Sequence, residues 1–179
     1  MKTIVIIQAR YSSTRLPGKV MMKIGNISVI ELLIERLKRS KETDDIILAT
    51  TTNRNDDQLC TIANQKDIKI YRGDEKDVLS RYYHSAIRNS GDIIVRITGD
   101  CPLTDPLLVD DAVKLFKSKK VDYLSNCNPA TYPDGLDVEI FSMKTLKTAY
   151  ESSQRSEERE HVTLWMKNNN QLEKYCIKN

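Results

Sequence analysis

The chain has 179 residues, about one domain at ~150 residues per domain, and is long enough to bury a sizeable core without staples. Charged residues make up 30% and apolar residues 40%, while only 6 glycines and 5 prolines exclude collagen-like and low-complexity sequence. A net charge of +3 is too weak a bias to announce a nucleic-acid binder, and no apolar run approaches the ~20 residues of a membrane span or has the form of a signal peptide, so a cytoplasmic protein is expected.

Thr3 to Gln8 is β-branched and unbroken, which predicts a strand buried on both faces. A polar loop from Ala9 to Lys19 follows. Ser28 and Glu31 have capping-box spacing and open a helix that carries Val29, Ile30, Leu33, Ile34 and Leu37. Asp45 to Thr50 is a second strand, Asn55 starts a helix with Leu59, Ile62 and Ala63 on one face, and Ile68 to Tyr71 is a short strand. Asp77 to Asn89 has helical period, with Gly91 placed as its stop. Asp92 to Thr98 is another strong strand, and Asp105 with Pro106 caps a helix over 107–117. Asp122 to Ser125 and Asp137 to Phe141 read as strands, Met143 to Glu151 as a helix, His161 to Asn168 as a weaker helix and Lys174 to Ile177 as a last strand. This alternation predicts one α/β domain over 1–179 with a mostly parallel sheet flanked by helices on both faces.

Ligands of open α/β sheets bind beyond the carboxyl ends of the strands. After the first strand, Arg10, Arg15 and Lys19 alternate with the hydroxyls of Ser12, Ser13 and Thr14, and Pro17-Gly18 can fold the loop back. Cations, hydroxyls and backbone N–H groups are what a polyphosphate needs, although neither a Walker A loop nor a GxGxxG turn occurs. After Thr98, Gly99 permits close approach, and Asp100 either holds Mg²⁺ against phosphates or makes a turn before Pro102. Asp134 lies in a turn. Asp137 and Glu139 share one strand face, which needs cations, metal or solvent. Asp77 and Arg81 stand one helical turn apart and can pair with each other. His161, in the cluster Arg159-Glu-His161, is a surface residue or a functional one, and His84 reads as structural. Four cysteines without a CxxC and two histidines give no structural zinc spacing; the thiols read as reduced and mostly buried.

Five segments then carry a resemblance: Ile6 to Lys19, Tyr71 to Tyr82, Arg96-Ile-Thr-Gly-Asp-Cys-Pro-Leu-Thr-Asp-Pro106, Tyr132-Pro-Asp-Gly-Leu-Asp-Val-Glu139 and Arg159-Glu-His-Val-Thr163. In this order they resemble the sugar-acid cytidylyltransferases, which include the acylneuraminate and 3-deoxy-manno-octulosonate enzymes, and above all the spore-coat polysaccharide biosynthesis branch. The resemblance implies a nucleotide-diphospho-sugar transferase (Rossmann-like) fold, often as a homodimer. It also implies CMP transfer from CTP to a sugar acid with release of pyrophosphate, in surface or spore-coat polysaccharide biosynthesis. It places Arg10, Lys19 and Asp100 in catalysis and Ala9, Arg10, Ser12, Ser13, Arg15, Lys19, Thr51, Arg72, Asp77 and Arg81 around the nucleotide. Asp134, Asp137, Glu139, Arg159 and His161 fall on the acceptor side, and Asp100 is the Mg²⁺ ligand. Relatives usually add a second acidic metal ligand near their C-terminus. Either Asp137 or Glu139 replaces it here, or the chain is a truncated form. The rival readings are a glycosyltransferase of related fold, which would use a nucleotide-sugar donor, and a catalytically weak nucleotide-binding subunit.

Overall fold

The computed structural model describes residues 1–13 and 16–178. In chain order the elements are β1 (Thr3–Gln8), β2 (Lys23–Ile24), β3 (Ile27–Ser28), α1 (Val29–Leu37), β4 (Asp45–Thr51), α2 (Asp57–Gln65), β5 (Lys69–Gly73), α3 (Val78–Arg88), β6 (Ile93–Thr98), α4 (Pro106–Lys119), β7 (Tyr123–Ser125), β8 (Glu139–Ser142), α5 (Met143–Ser152), α6 (Ser156–Glu160), α7 (Leu164–Asn168) and β9 (Lys174–Cys176). The main sheet is seven-stranded in the order β5-β4-β1-β6-β8-β7-β9. All its pairings are parallel except those of β8, which runs antiparallel between β6 and β7.

The unbroken apolar run of β1 is explained by burial on both faces. Val5 and Ile7 join a cluster with Ile30, Leu33, Leu59, Val109 and Phe116, so α1, α2 and α4 cover one side. Ile4 and Ile6 join Leu79, Tyr82, Leu146 and Met166, so α3, α5 and α7 cover the other. Local signals act as read at two helix starts. The Ser28–Glu31 capping box forms at α1, and Asp105 accepts from the Leu107 N–H ahead of Pro106 at α4.

Three sequence expectations are corrected. The strand expected over 137–141, β8, begins at Glu139 rather than Asp137; it is an interior strand and Glu139 is 1% exposed, so of cations, metal or solvent it is cations that meet its carboxylate. The helix expected over 161–168 starts only at Leu164, as α7, and a separate short helix, α6, ends at Glu160 with His161 as its C-cap. A small β2–β3 hairpin, in a stretch to which the sequence reading gave no element, precedes α1. At the end of α3 the left-handed residue is Ser90, with φ 53°, not Gly91.

Gly91 has a different task. A Cβ there would sit 2.4 Å from Ile4 Cδ1 and 2.7 Å from its Cγ1, and Ile4 is fully buried. Gly91→Ala is expected to cost ~1–3 kcal/mol through overpacking. That lowers Tm by roughly 3–10 °C at this chain size. A thermal melt matching wild type would show that the core yields around Ile4.

Candidate active site

The chain runs from β1 outward through β4 to β5, then returns to place β6 on the other side of β1. This reversal makes the β1/β6 boundary a topological switch point, where loops diverge and leave a crevice. The registers Gln8↔Thr98 and Gln8↔Ala49 bring the carboxyl ends of β1, β4 and β6 level. Gly99 lets two loops leave side by side: its N–H donates to Gln8 O at 2.8 Å, and a Cβ would lie 2.7 Å from Ala9 Cβ. Ala9 itself is buried against β4, its N–H donating to Ala49 O at 3.3 Å.

The Pro17-Gly18 turn folds the loop back. The Gly18 N–H donates to Tyr11 O at 2.8 Å, and the short 3₁₀ turn Lys19–Met21 follows. Lys19 thereby reaches across the crevice and forms an ion pair with Asp100. Burial pushes the Asp100 carboxyl up, but the Lys19 ammonium outweighs it and holds the group below its ordinary range. Arg10, Ser13, Lys19 and Asp100 line one cavity of about 250 Å³. Asp100 and Cys101 also face Asp134 and Gly135 across a second cavity of about 330 Å³. Cys101 shares a 3.1 Å hydrogen bond with Thr98 Oγ1, and burial raises its thiol.

The rest of the nucleotide-side set lies around the carboxyl ends of β1, β4 and β5 and the start of α3. Arg10 pairs with Glu75 at 3.0 Å, and the Ser12 hydroxyl donates to the same carboxylate oxygen. Thr51 is 1% exposed and gives both its N–H and its hydroxyl to Asp56, which also accepts from the Tyr11 N–H at 2.7 Å. The buried Asp56 carboxylate therefore ties the β1 loop to the end of β4. Arg72 donates to Thr51 O, Asn53 O and Asp57 and fixes the turn before α2. Arg15 lies outside the described residues.

The Asp77–Arg81 pair expected from spacing does not form. Asp77 caps α3 by accepting from the Ser80 N–H at 2.8 Å, and its other oxygen pairs with Arg159. Arg81 is 1% exposed and donates to the carbonyls of Asp74 and Glu75; burial pushes its guanidinium down.

The acceptor-side set divides. His161 is exposed and lines a third cavity of about 360 Å³ with Gln8, Arg10, Lys76 and Arg96. Asp134 is exposed at the Asp100 cleft. Asp137 is half-buried, and burial with the neighbouring carboxylates of Asp134 and Glu139 pushes it up. Arg159 turns away from the cavities: it pairs with Asp77, donates to Tyr150 O and stacks 4.5 Å over the Tyr150 ring. Glu139 is taken up entirely inside the fold, by Arg96, the Tyr123 hydroxyl, Thr163 Oγ1 at 2.8 Å and Lys167 at 2.8 Å. Burial would raise it, but the two cations dominate and hold it down at about 2. It is therefore not a stand-in for a second metal ligand.

Among the described residues no group of three or more His, Cys, Asp or Glu is arranged around a metal. Asp100 opening on a cleft with Asp134 opposite does suit Mg²⁺, which takes one or two carboxylates together with substrate phosphates. Sequence reading missed Asp56, Glu75, Gln8 and Arg96. For the last two a signal existed: each is a polar residue near the carboxyl end of an otherwise apolar strand.

The spore coat polysaccharide biosynthesis protein SpsF of Bacillus subtilis is 31% identical over 174 residues, covering 91% of this chain and 69% of that protein. A 3-deoxy-manno-octulosonate cytidylyltransferase of Solibacter usitatus is 34% identical over 114 residues, covering 63% of this chain and 44% of that one. The solved structure of a cytidylyltransferase from Leptospira borgpetersenii serovar Hardjo-bovis superposes with a TM-score of 0.97 at 35% identity, over 100% of this chain and 76% of that chain. The cytidylyltransferase pattern itself is matched over residues 4–178, so both strands that meet at the switch point, and the loops that leave them, fall within it. The chain belongs to the cytidylyltransferase family.

Proposed function

We propose that this nucleotidyltransferase moves CMP from CTP to a sugar acid and releases pyrophosphate. The observation that carries the reading is the convergence of Arg10, Lys19 and Asp100 on one cavity at the switch point. The two cations there suit a triphosphate, and the carboxylates of Asp100 and Glu160 beside them suit its counter-ions. The adjoining cavity, which shares Gln8 and Arg10 with it, suits an acceptor.

An acceptor hydroxyl oxygen attacks the α-phosphorus, the new P–O bond forms, and the bond to the bridging oxygen breaks. Pyrophosphate leaves with the electron pair, and the hydroxyl proton passes to solvent. Lys19 and Arg10 place positive charge where the pyrophosphate departs. Such preorganised charge acts on the transition state more than on the ground state. A divalent ion such as Mg²⁺, which Asp100 would hold with the phosphates, supplies further neutralisation of their oxygens. Asp134 and Asp137 lie beside the Asp100 cleft, and Glu160 lines the cavity with Asp100, so further carboxylates stand near a bound polyanion's counter-ions.

The test has two readouts. CTP with Mg²⁺ at ~100 times its dissociation constant should stabilise the fold by ~2.7 kcal/mol, which raises Tm by roughly 5–10 °C. UTP, ATP and GTP should raise it less. With a panel of sugar acids, CTP should then yield pyrophosphate and a CMP-sugar in equal amounts. A chain that shows no shift with CTP, or that binds CTP and releases no pyrophosphate with any acid, overturns the proposal.

A further inference from the structure

The cavity beside the phosphate crevice has an unusual floor. Arg96 occupies the β6 position directly opposite Glu139 of β8 and donates Nη1 to that carboxylate. Lys167 pairs with the same carboxylate at 2.8 Å. Two cations therefore share one buried anion, and the group as a whole retains a positive charge. Lys167 carries its part at the surface, 27% exposed, whereas the Arg96 side chain is 17% exposed and lines the cavity.

The free side of the Arg96 guanidinium is also under-used. Nη2 reaches Gln8 Oε1 only at 3.4 Å, and Nε is buried with no partner. Nε and Nη2 form the side-on fork that receives a carboxylate through two parallel N–H···O bonds. An unpaired buried donor costs free energy that a ligand oxygen recovers on binding. The other charged groups around the cavity are placed differently. Arg10, held to Glu75 through Nη1 alone, also lines the phosphate crevice with Lys19, Lys76 is a flexible point charge, and Glu75 and Glu160 are anions.

We infer that the Nε–Nη2 edge of Arg96, seated by Glu139 and flanked by Gln8, receives the carboxylate of the acceptor and sets the preference for an acidic sugar over a neutral one. The inference rests on the function proposed above. Glu139 is then a positioning residue, since it touches the acceptor only through Arg96.

The experiment compares free sugar acids, 3-deoxy-manno-octulosonate among them, with their primary amides. The amide has the same shape and no charge. Wild type should prefer the acid by ~10–100-fold in kcat/KM, the range of hydrogen bonds to a charged group, with the difference in KM. Arg96→Lys keeps a cation for Glu139 but loses the fork. It should reduce the acid/amide ratio to a few-fold while the dissociation constant for CTP stays within about two-fold. Gln8→Ala, a milder change, should lower the ratio and leave the fold intact.

Equal use of acid and amide by wild type overturns the inference while CMP transfer stands, and needs no variant to fold. An unchanged acid preference in Arg96→Lys overturns it as well. CTP binding without pyrophosphate release on any acid overturns the proposed function, and this inference with it.

Discussion

Lys19→Ala is expected to lower the rate of pyrophosphate release by ~10²–10³-fold, about 3–4 kcal/mol of transition-state stabilisation, the usual cost of removing one preorganised donor. Tm should stay within about 2 °C of wild type, because an exposed pair contributes ~0–1 kcal/mol. The Lys19 and Asp100 side chains are 32% and 39% exposed, so solvent screens their attraction in the resting protein. The same charge acts more strongly on a bound polyphosphate that excludes water. The loss should appear in kcat and kcat/KM together, since the interaction strengthens as negative charge builds on the leaving pyrophosphate. Removing the ammonium also leaves Asp100 with burial as its main influence, so its carboxyl rises. Initial-rate pyrophosphate assays beside a thermal melt separate the two effects. Wild-type turnover in the variant would remove Lys19 from catalysis. A collapsed Tm would make it a structural residue instead.

The strands and helix starts were legible because their causes are local. Five consecutive residues from Thr3 to Ile7 carry the β-branched run, and the α1 cap needs only Ser28 and Glu31. The family resemblance was legible for a related reason: the segments that carry it lie at strand ends and in the loops that leave them. The errors came where distant chain decided the outcome. Alternation over 137–141 suggests a half-solvated strand, but the partners that bury Glu139 come from β6, β7 and the region of α7. Spacing on α3 suggests an Asp77–Arg81 pair worth ~0.2–0.5 kcal/mol on an isolated helix. In the fold, Arg159 takes Asp77 from 82 positions away, and Arg81 goes to the carbonyls of the preceding loop. No window of sequence contains both sides of those choices. Asp56 was passed over for the same reason, because its role depends on Tyr11 arriving from the other side of β4.

Glu139→Gln is expected to destabilise the protein by ~3–5 kcal/mol, because removing one member of a buried ionic group leaves the others uncompensated. The amide keeps the shape of the side chain and can still accept from Tyr123 or Thr163. It leaves Arg96 and Lys167 without their shared charge, and no other carboxylate pairs with either among the described residues. The effect should depend on pH in a definite direction. The Glu139 carboxyl is held at about 2 in the folded chain against 4.5 ordinarily, so the folded state binds its proton less readily. Its stabilisation is complete above the unfolded value and is lost as pH falls from about 5 towards about 2. Asp45, Asp74, Asp100 and Asp110 are also held low and contribute to acid unfolding in wild type and variant alike. The difference between the two proteins therefore isolates Glu139. Denaturant melts at pH 7 and at pH 3 should show a large gap that narrows on acidification. A gap that stays constant would mean that the substituted amide fails by packing rather than by charge. No gap at pH 7 would mean that Arg96 and Lys167 find water or each other's surroundings sufficient. In that case Glu139 does not seat the Arg96 fork, and the acid preference of the enzyme must have another source.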